Sequence, residues 1–165
     1  LFVATTNMSS FSPVVFEDIF EVKQVNKDGK YFDKVSRVDC QSESYGMDLV
    51  LDINSDIFEL DAGVKFTLLL ASQLSMHETS KDDSDSKSYV TPPKGKTLID
   101  QYEYVMYGKV FKLQDEGDNS SRIAIYISFG GLLMLLKGEQ RHLSSIHQND
   151  RLYLLLRYST KPEDA

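Results

Sequence analysis

The sequence predicts an all-β domain, a small closed barrel or sandwich, on three observations. Apolar and polar residues alternate with period two in segment after segment, short turn-forming clusters separate those segments, and no stretch sustains a helical apolar period over several turns. The alternation is clearest in Met47-Asp48-Leu49-Val50-Leu51-Asp52-Ile53, where Met47, Leu49, Leu51 and Ile53 share one side. The two aspartates lie opposite, on what reads as a solvated strand face. In chain order the strand candidates are Val14–Lys23, Lys34–Ser42, Met47–Ile53, Val64–Leu70, Tyr102–Leu113, Ile123–Phe129, Leu132–Lys137 and Arg151–Tyr158. Val64, Phe66, Leu68 and Leu70 form one face of the fourth, and Ile123, Ile125, Ile127 and Phe129 one face of the sixth.

Asn26-Lys27-Asp28-Gly29, Ser44-Tyr45-Gly46 and Asp115-Glu116-Gly117-Asp118-Asn119 are the turn signals, and their short spacing favours antiparallel neighbours. The best helical candidate is a short piece around Glu139–Ser144, which argues against a βαβ architecture. Residues 73–100 break the rhythm. Ser80-Lys81-Asp82-Asp83-Ser84-Asp85-Ser86-Lys87-Ser88 and Pro92-Pro93 mark a long exposed loop, with the composition of a segment that stays disordered when the chain is alone. The organisation expected is a tail over 1–13, a single domain over 14–158 and a tail over 159–165. Asp18-Ile19-Phe20-Glu21 recurs as Asp56-Ile57-Phe58-Glu59, too short a match to establish duplication.

A chain of 165 residues can bury roughly 68–70% of its unfolded surface. With 41% hydrophobic and 26% charged residues it has the composition of a folding globular protein. The formal net charge is −7, and residues 1–61 alone hold 12 acids against 5 bases. Such a surface repels phosphate backbones, so strong autonomous nucleic-acid binding is not expected and an electropositive partner suits it better. Cys40 is the only cysteine, which excludes an internal disulfide or a multi-thiolate zinc site and favours a reducing compartment. Leu1–Asn7 lacks the basic lead of a secretory signal, and Met8 is a candidate natural start. The longest strictly apolar runs, Leu132–Leu136 and Leu152–Leu156, are five residues each, too short for a membrane helix.

The search for chemistry finds little. Gly95-Lys96-Thr97 ends like a P-loop, but Val90 stands where the first glycine is required and no strand precedes it. Gly130-Gly131 lacks the third glycine of a dinucleotide site and reads as a turn or close approach between two strands. His77, His142 and His147 match no metal spacing and read as surface histidines. Cys40 shares a strand face with Val38 and reads as a small core hydrophobe. No metal, cofactor or catalytic set is therefore assigned. The aromatic run Tyr102-Glu103-Tyr104-Val105-Met106-Tyr107-Gly108-Lys109-Val110-Phe111 has two readings, a platform for stacking single-stranded bases or a strand with core on one side and a protein partner on the other. Lys109 and Lys112 are a thin basic supply, which favours the second. Gly108 is expected to mark a bulge, with the apolar face shifting from Tyr104 and Met106 to Phe111 and Leu113 across it.

Phe16-Glu17-Asp18-Ile19-Phe20, Phe32-Asp33-Lys34-Val35-Ser36-Arg37-Val38 and above all Tyr102–Val110 resemble segments of one family: the small OB-fold subunit shared by eukaryotic nuclear RNA polymerases I, II and III, the eighth subunit of polymerase II. Ser128-Phe129-Gly130-Gly131-Leu132-Leu133-Met134, followed by Gly138, is similar to the same family, and the likeness runs in order from about Val15 to Arg157. The resemblance implies an eight-stranded antiparallel OB-type barrel with an Ω-like loop between the fourth and fifth strands. It also implies a non-catalytic role in the nucleus and nucleolus, on the outside of the polymerase. There the subunit would dock mainly on the largest subunit and support assembly, with the metal-bound active site in that larger chain. A free-standing single-strand binder on the same barrel is the competing reading. Tyr104, Met106, Tyr107, Gly108, Phe129, Gly130, Gly131, Leu132, Leu133 and Met134 are the candidate docking residues. Alternation sets Leu133 opposite Leu132 and Met134, so one side of that strand needs a cover outside the core.

Overall fold

Eight strands form where the alternation places them. They are β1 (Val14–Val25), β2 (Val35–Ser42), β3 (Asp48–Asn54), β4 (Lys65–Ala71), β5 (Tyr104–Asp115), β6 (Arg122–Phe129), β7 (Leu132–Glu139) and β8 (Arg151–Tyr158). These come from a computed structural model that describes residues 12–30, 32–75, 98–117 and 121–159. The segment Glu139–Ser144 is a 3-10 turn at Gln140–His142 rather than a helix. His77, the Ser/Asp/Lys run at 80–88, Pro92-Pro93, Gly95-Lys96-Thr97, Asp118-Asn119 and almost all of both tails lie outside the described residues. No described helix is long and apolar enough to cross a membrane.

The strands close into a barrel in the order β1-β2-β3-β7-β6-β5-β8-β4, every neighbour antiparallel. The interior is filled by the alternating sets read from the sequence: Met47, Leu49, Leu51 and Ile53 are fully buried, as are Phe66, Leu68, Leu70, Ile125 and Ile127. Phe20 and Phe66 stack with centroids 6.0 Å apart across the β1–β4 pair. Cys40 is buried beside Val38, as its strand face predicts. Apolar area removed from water at roughly 25 cal/mol per Å² makes this interior the main source of stability.

Two expectations need correction here. The bulge in β5 lies between Val110 and Lys112, not at Gly108, so Phe111 turns outward and is 46% exposed. Gly108 stays in register with Leu152, and a Cβ there would lie 2.6 Å from Phe129 Cδ1 while pressing on the Ser128 carbonyl oxygen. Its glycine serves close packing, not a bend. The second correction concerns the stretch read as exposed from residue 73. Leu98 is buried and its N–H bonds the Leu74 carbonyl at 3.0 Å. Both leucines pack with Leu69, Ala71 and Leu155 on the outside of the barrel. The reason is that β4 is apolar on both faces, so its outer leucine and alanine need a cover that solvent cannot provide.

Candidate docking surface

The candidate docking residues occupy two adjacent strands and the turn between β6 and β7. Phe129 pairs with Leu132 across Gly130-Gly131, whose φ values of 63 and 106 are both positive. A two-residue loop of this hand matches the twist of the flanking strands and requires positive φ at both positions, which glycine adopts without strain. Gly131 N–H reaches Ser128 Oγ at 3.3 Å. The ten residues then divide by face. Tyr104, Gly108, Phe129 and Met134 are buried, Met106 and Leu132 are half-buried, and Tyr107, Gly130, Gly131 and Leu133 are exposed. Tyr104 belongs to the interior, its phenol oxygen accepting Asn54 N–H at 3.0 Å and facing Met106 Sδ at 3.0 Å. Burial raises its pKa above the ordinary tyrosine value. Such residues shape the surface from beneath.

What lies outward is set by pairing between strands far apart in sequence. Leu133 is 41% exposed and Tyr107 48%. Beside Leu133, β7 pairs with β3, which brings Leu135 opposite Val50, while β6 brings Tyr126 opposite Leu135. Arg37, Val50, Phe111, Tyr126, Leu133 and Leu135 line a shallow cavity of about 190 Å³. Phe111 and Tyr126 have ring centroids 6.0 Å apart, and Lys112 Nζ lies 5.3 Å from the Tyr126 centroid. A contiguous apolar surface of this kind is what interaction sites use.

Asp52 is where the sequence reading of this region fails. It belongs to the outer face of β3, but it is buried and not solvated. Its carboxylate accepts Arg37 Nε at 2.7 Å and Arg37 Nη2 at 3.0 Å, and it also accepts Leu133 N–H at 3.0 Å. The β3–β7 ladder ends at Leu51 and Met134, so the Asp52 side chain satisfies the strand N–H just beyond that end. Neither Arg37 nor Asp52 was singled out as a functional residue, and the available signal was weak: an arginine and an aspartate on two neighbouring strands. A corresponding correction holds for His142, which is half-buried and stacks on Tyr45 with centroids 4.2 Å apart. His147 is exposed and pairs with Asp150, as a surface histidine should.

Among the described residues no group of three or more His, Cys, Asp or Glu side chains has the geometry to hold a metal ion. Burial pushes the Cys40 thiol far above its ordinary range, with the Asp39 charge adding to the shift, which makes it a poor nucleophile. On the neighbouring outer face, Tyr107 and Tyr153 pack with centroids 4.5 Å apart, and burial raises the Tyr153 phenol pKa.

The model of the family described as RNA polymerase Rpb8 matches residues 17–158. The Dictyostelium discoideum protein named DNA-directed RNA polymerases I, II, and III subunit rpabc3 is 46% identical over 144 residues, 87% of this chain and 96% of that protein. Arabidopsis thaliana has a relative named DNA-directed RNA polymerases II, IV and V subunit 8B, 42% identical over 87% of this chain and 95% of its own length. The Saccharomyces cerevisiae relative, DNA-directed RNA polymerases I, II, and III subunit RPABC3, is 38% identical over 88% of this chain and 99% of that protein.

Proposed function

The chain belongs to the RNA polymerase Rpb8 family, and from that premise we propose that it is a non-catalytic subunit shared by the nuclear DNA-directed RNA polymerases I, II and III. In this reading it docks on the largest subunit, supports assembly and stability of the transcribing enzyme, and resides in the nucleus, including the nucleolus. The observation that carries it is the near full-length match to relatives named as polymerase subunits, with 95–99% of their length covered. The physical reading agrees with a docking role. A closed barrel offers no unpaired strand edge to a partner, so recognition falls to side chains on its outer face and to its turns. The exposed Tyr107, Gly130, Gly131 and Leu133, with Phe111 beside them, supply such a surface, and Asp52 fixes the backbone of the strand that carries Leu133.

The test is purification of tagged chain from nuclear extract with identification of the co-purifying proteins. Recovery of the largest subunits of all three polymerases is expected. Recovery from one enzyme alone would limit the sharing. No polymerase subunit at all, together with tight binding of a single-stranded oligonucleotide, would overturn the reading in favour of a free-standing nucleic-acid binder.

A further inference from the structure

We propose that the outer face of β5 and β8, centred on Lys109 and Arg151, docks a carboxylate-bearing segment of the polymerase subunit to which this chain binds; this rests on the function proposed above. Pairing of β5 with β8 sets three outward pairs in a ladder: Val105 opposite Leu155, Tyr107 opposite Tyr153, and Lys109 opposite Arg151. Two cations directly opposite each other on an antiparallel pair repel, and the usual remedy is an acid within reach. None is supplied. Lys109 and Arg151 are both exposed, and no ion pair among the described residues uses either of them. The nearest acid in sequence, Asp150, accepts His147 N–H at 2.8 Å and pairs with that histidine's ring. Lys109 also pairs with Ser128, which pairs with Leu133, so the cations adjoin the exposed apolar surface across a single strand.

An unrelieved cationic pair in a chain of net charge −7 points to an anionic occupant. The aromatic side chains decide which kind. A base-stacking platform needs free ring faces, and here each tyrosine already has one neighbour against its ring, although Tyr107 stays 48% exposed. Tyr107 lies against Tyr153, Arg157 sits 4.9 Å from the Tyr102 centroid, and Lys112 is placed 5.3 Å from the Tyr126 centroid. What remains accessible is a pair of cationic heads beside the exposed Tyr107 and Val105, Leu155 being buried in the cluster with Leu98. That suits an acidic peptide with apolar residues beside its carboxylates, each carboxylate taking charge-assisted hydrogen bonds from Arg151 or Lys109.

The test compares polymerase recovered from cells by tagged wild-type chain, by Lys109→Glu/Arg151→Glu and by a control, Lys30→Glu/Lys34→Glu, with the same change in net charge elsewhere on the surface. Expected are a loss of about tenfold or more in recovered polymerase for the first variant, wild-type recovery for the control, and unchanged thermal midpoints. The neutral variant Lys109→Gln/Arg151→Gln should weaken docking while leaving the midpoint at or above wild type, because it removes a repulsion; a purely structural role would lower the midpoint instead. Equal recovery by wild type and Lys109→Glu/Arg151→Glu overturns the inference and leaves the proposed function standing. A wild-type chain that recovers no polymerase overturns both. If a labelled single-stranded oligonucleotide binds the wild type and not Lys109→Glu/Arg151→Glu, the face takes nucleic acid and the inference is wrong.

Discussion

Replacing Asp52 separates the two tasks of one buried carboxylate. In Asp52→Ala the Leu133 N–H loses its acceptor at 3.0 Å and Arg37 loses both of its bonds to the carboxylate. An unsatisfied buried donor costs about 1–3 kcal/mol. Leu133 is 41% exposed, so water replaces part of the loss and the lower half of that range applies. The ion pair adds only about 0.2–1 kcal/mol, because the Arg37 side chain is 43% exposed and solvent screens it. Relief of the desolvated carboxylate offsets some of this, leaving about 2 kcal/mol. At roughly 2–4 °C per kcal/mol for a chain of this size, the thermal midpoint should fall by about 4–8 °C. Asp52→Asn keeps one oxygen to accept Leu133 N–H and Arg37 Nη2 but loses the charge and the acceptor for Arg37 Nε, so its midpoint should fall by less than that of Asp52→Ala. Circular-dichroism melts of the three proteins decide the matter. If Asp52→Ala melts within about 1 °C of wild type, the carboxylate does not cap the end of the β3–β7 ladder.

Leu133→Glu should leave the midpoint nearly unchanged and reduce recovery of the largest polymerase subunit severalfold; a drop of many degrees would place Leu133 in the core. Gly108→Ala forces a methyl group against Phe129 and the Ser128 carbonyl and should cost about 1–3 kcal/mol, read as a midpoint several degrees lower; an unchanged midpoint would show that β5 and β6 can separate freely. Cys40, buried and with its thiol pKa pushed up, should react with an aromatic disulfide at pH 8 far more slowly in the native protein than in denaturant, and equal rates would contradict its burial.

The fold was legible because a barrel wall alternates, and alternation is a local property. Leu49, Leu51 and Ile53 face inward for the same reason that they recur every second residue. The Gly130-Gly131 hairpin was legible because glycine takes positive φ values at no steric cost. The outer face was not. Asp52 lies outward by alternation and is nevertheless buried, because β7 lies alongside β3 and its carboxylate turns to accept the Leu133 N–H. The shift of apolar residues from Tyr104 and Met106 to Phe111 and Leu113 points to a bulge at Gly108, whereas the register shifts between Val110 and Lys112, where the glycine is not involved and Phe111 turns outward. Both failures concern neighbours distant in sequence, which periodicity does not encode.

If the inference above holds, the same non-local pairing makes net charge a poor guide to what one face of the barrel binds. The excess of acids in residues 1–61 suggested an electropositive partner, yet charge acts on a partner within about 8–10 Å of the surface at physiological salt. Within that range, what counts is the sign of the strands that become neighbours. Arg151 and Lys109 are 42 positions apart in the chain and directly opposite in the barrel, so their shared field exists only after closure. A partner approaching β5 and β8 meets that pair and not the average of the whole surface. The acidic remainder then acts in the opposite sense, disfavouring anionic ligands over the rest of the barrel relative to the Lys109/Arg151 pair. On this account, raising salt should weaken docking through β5 and β8 although the chain as a whole is acidic.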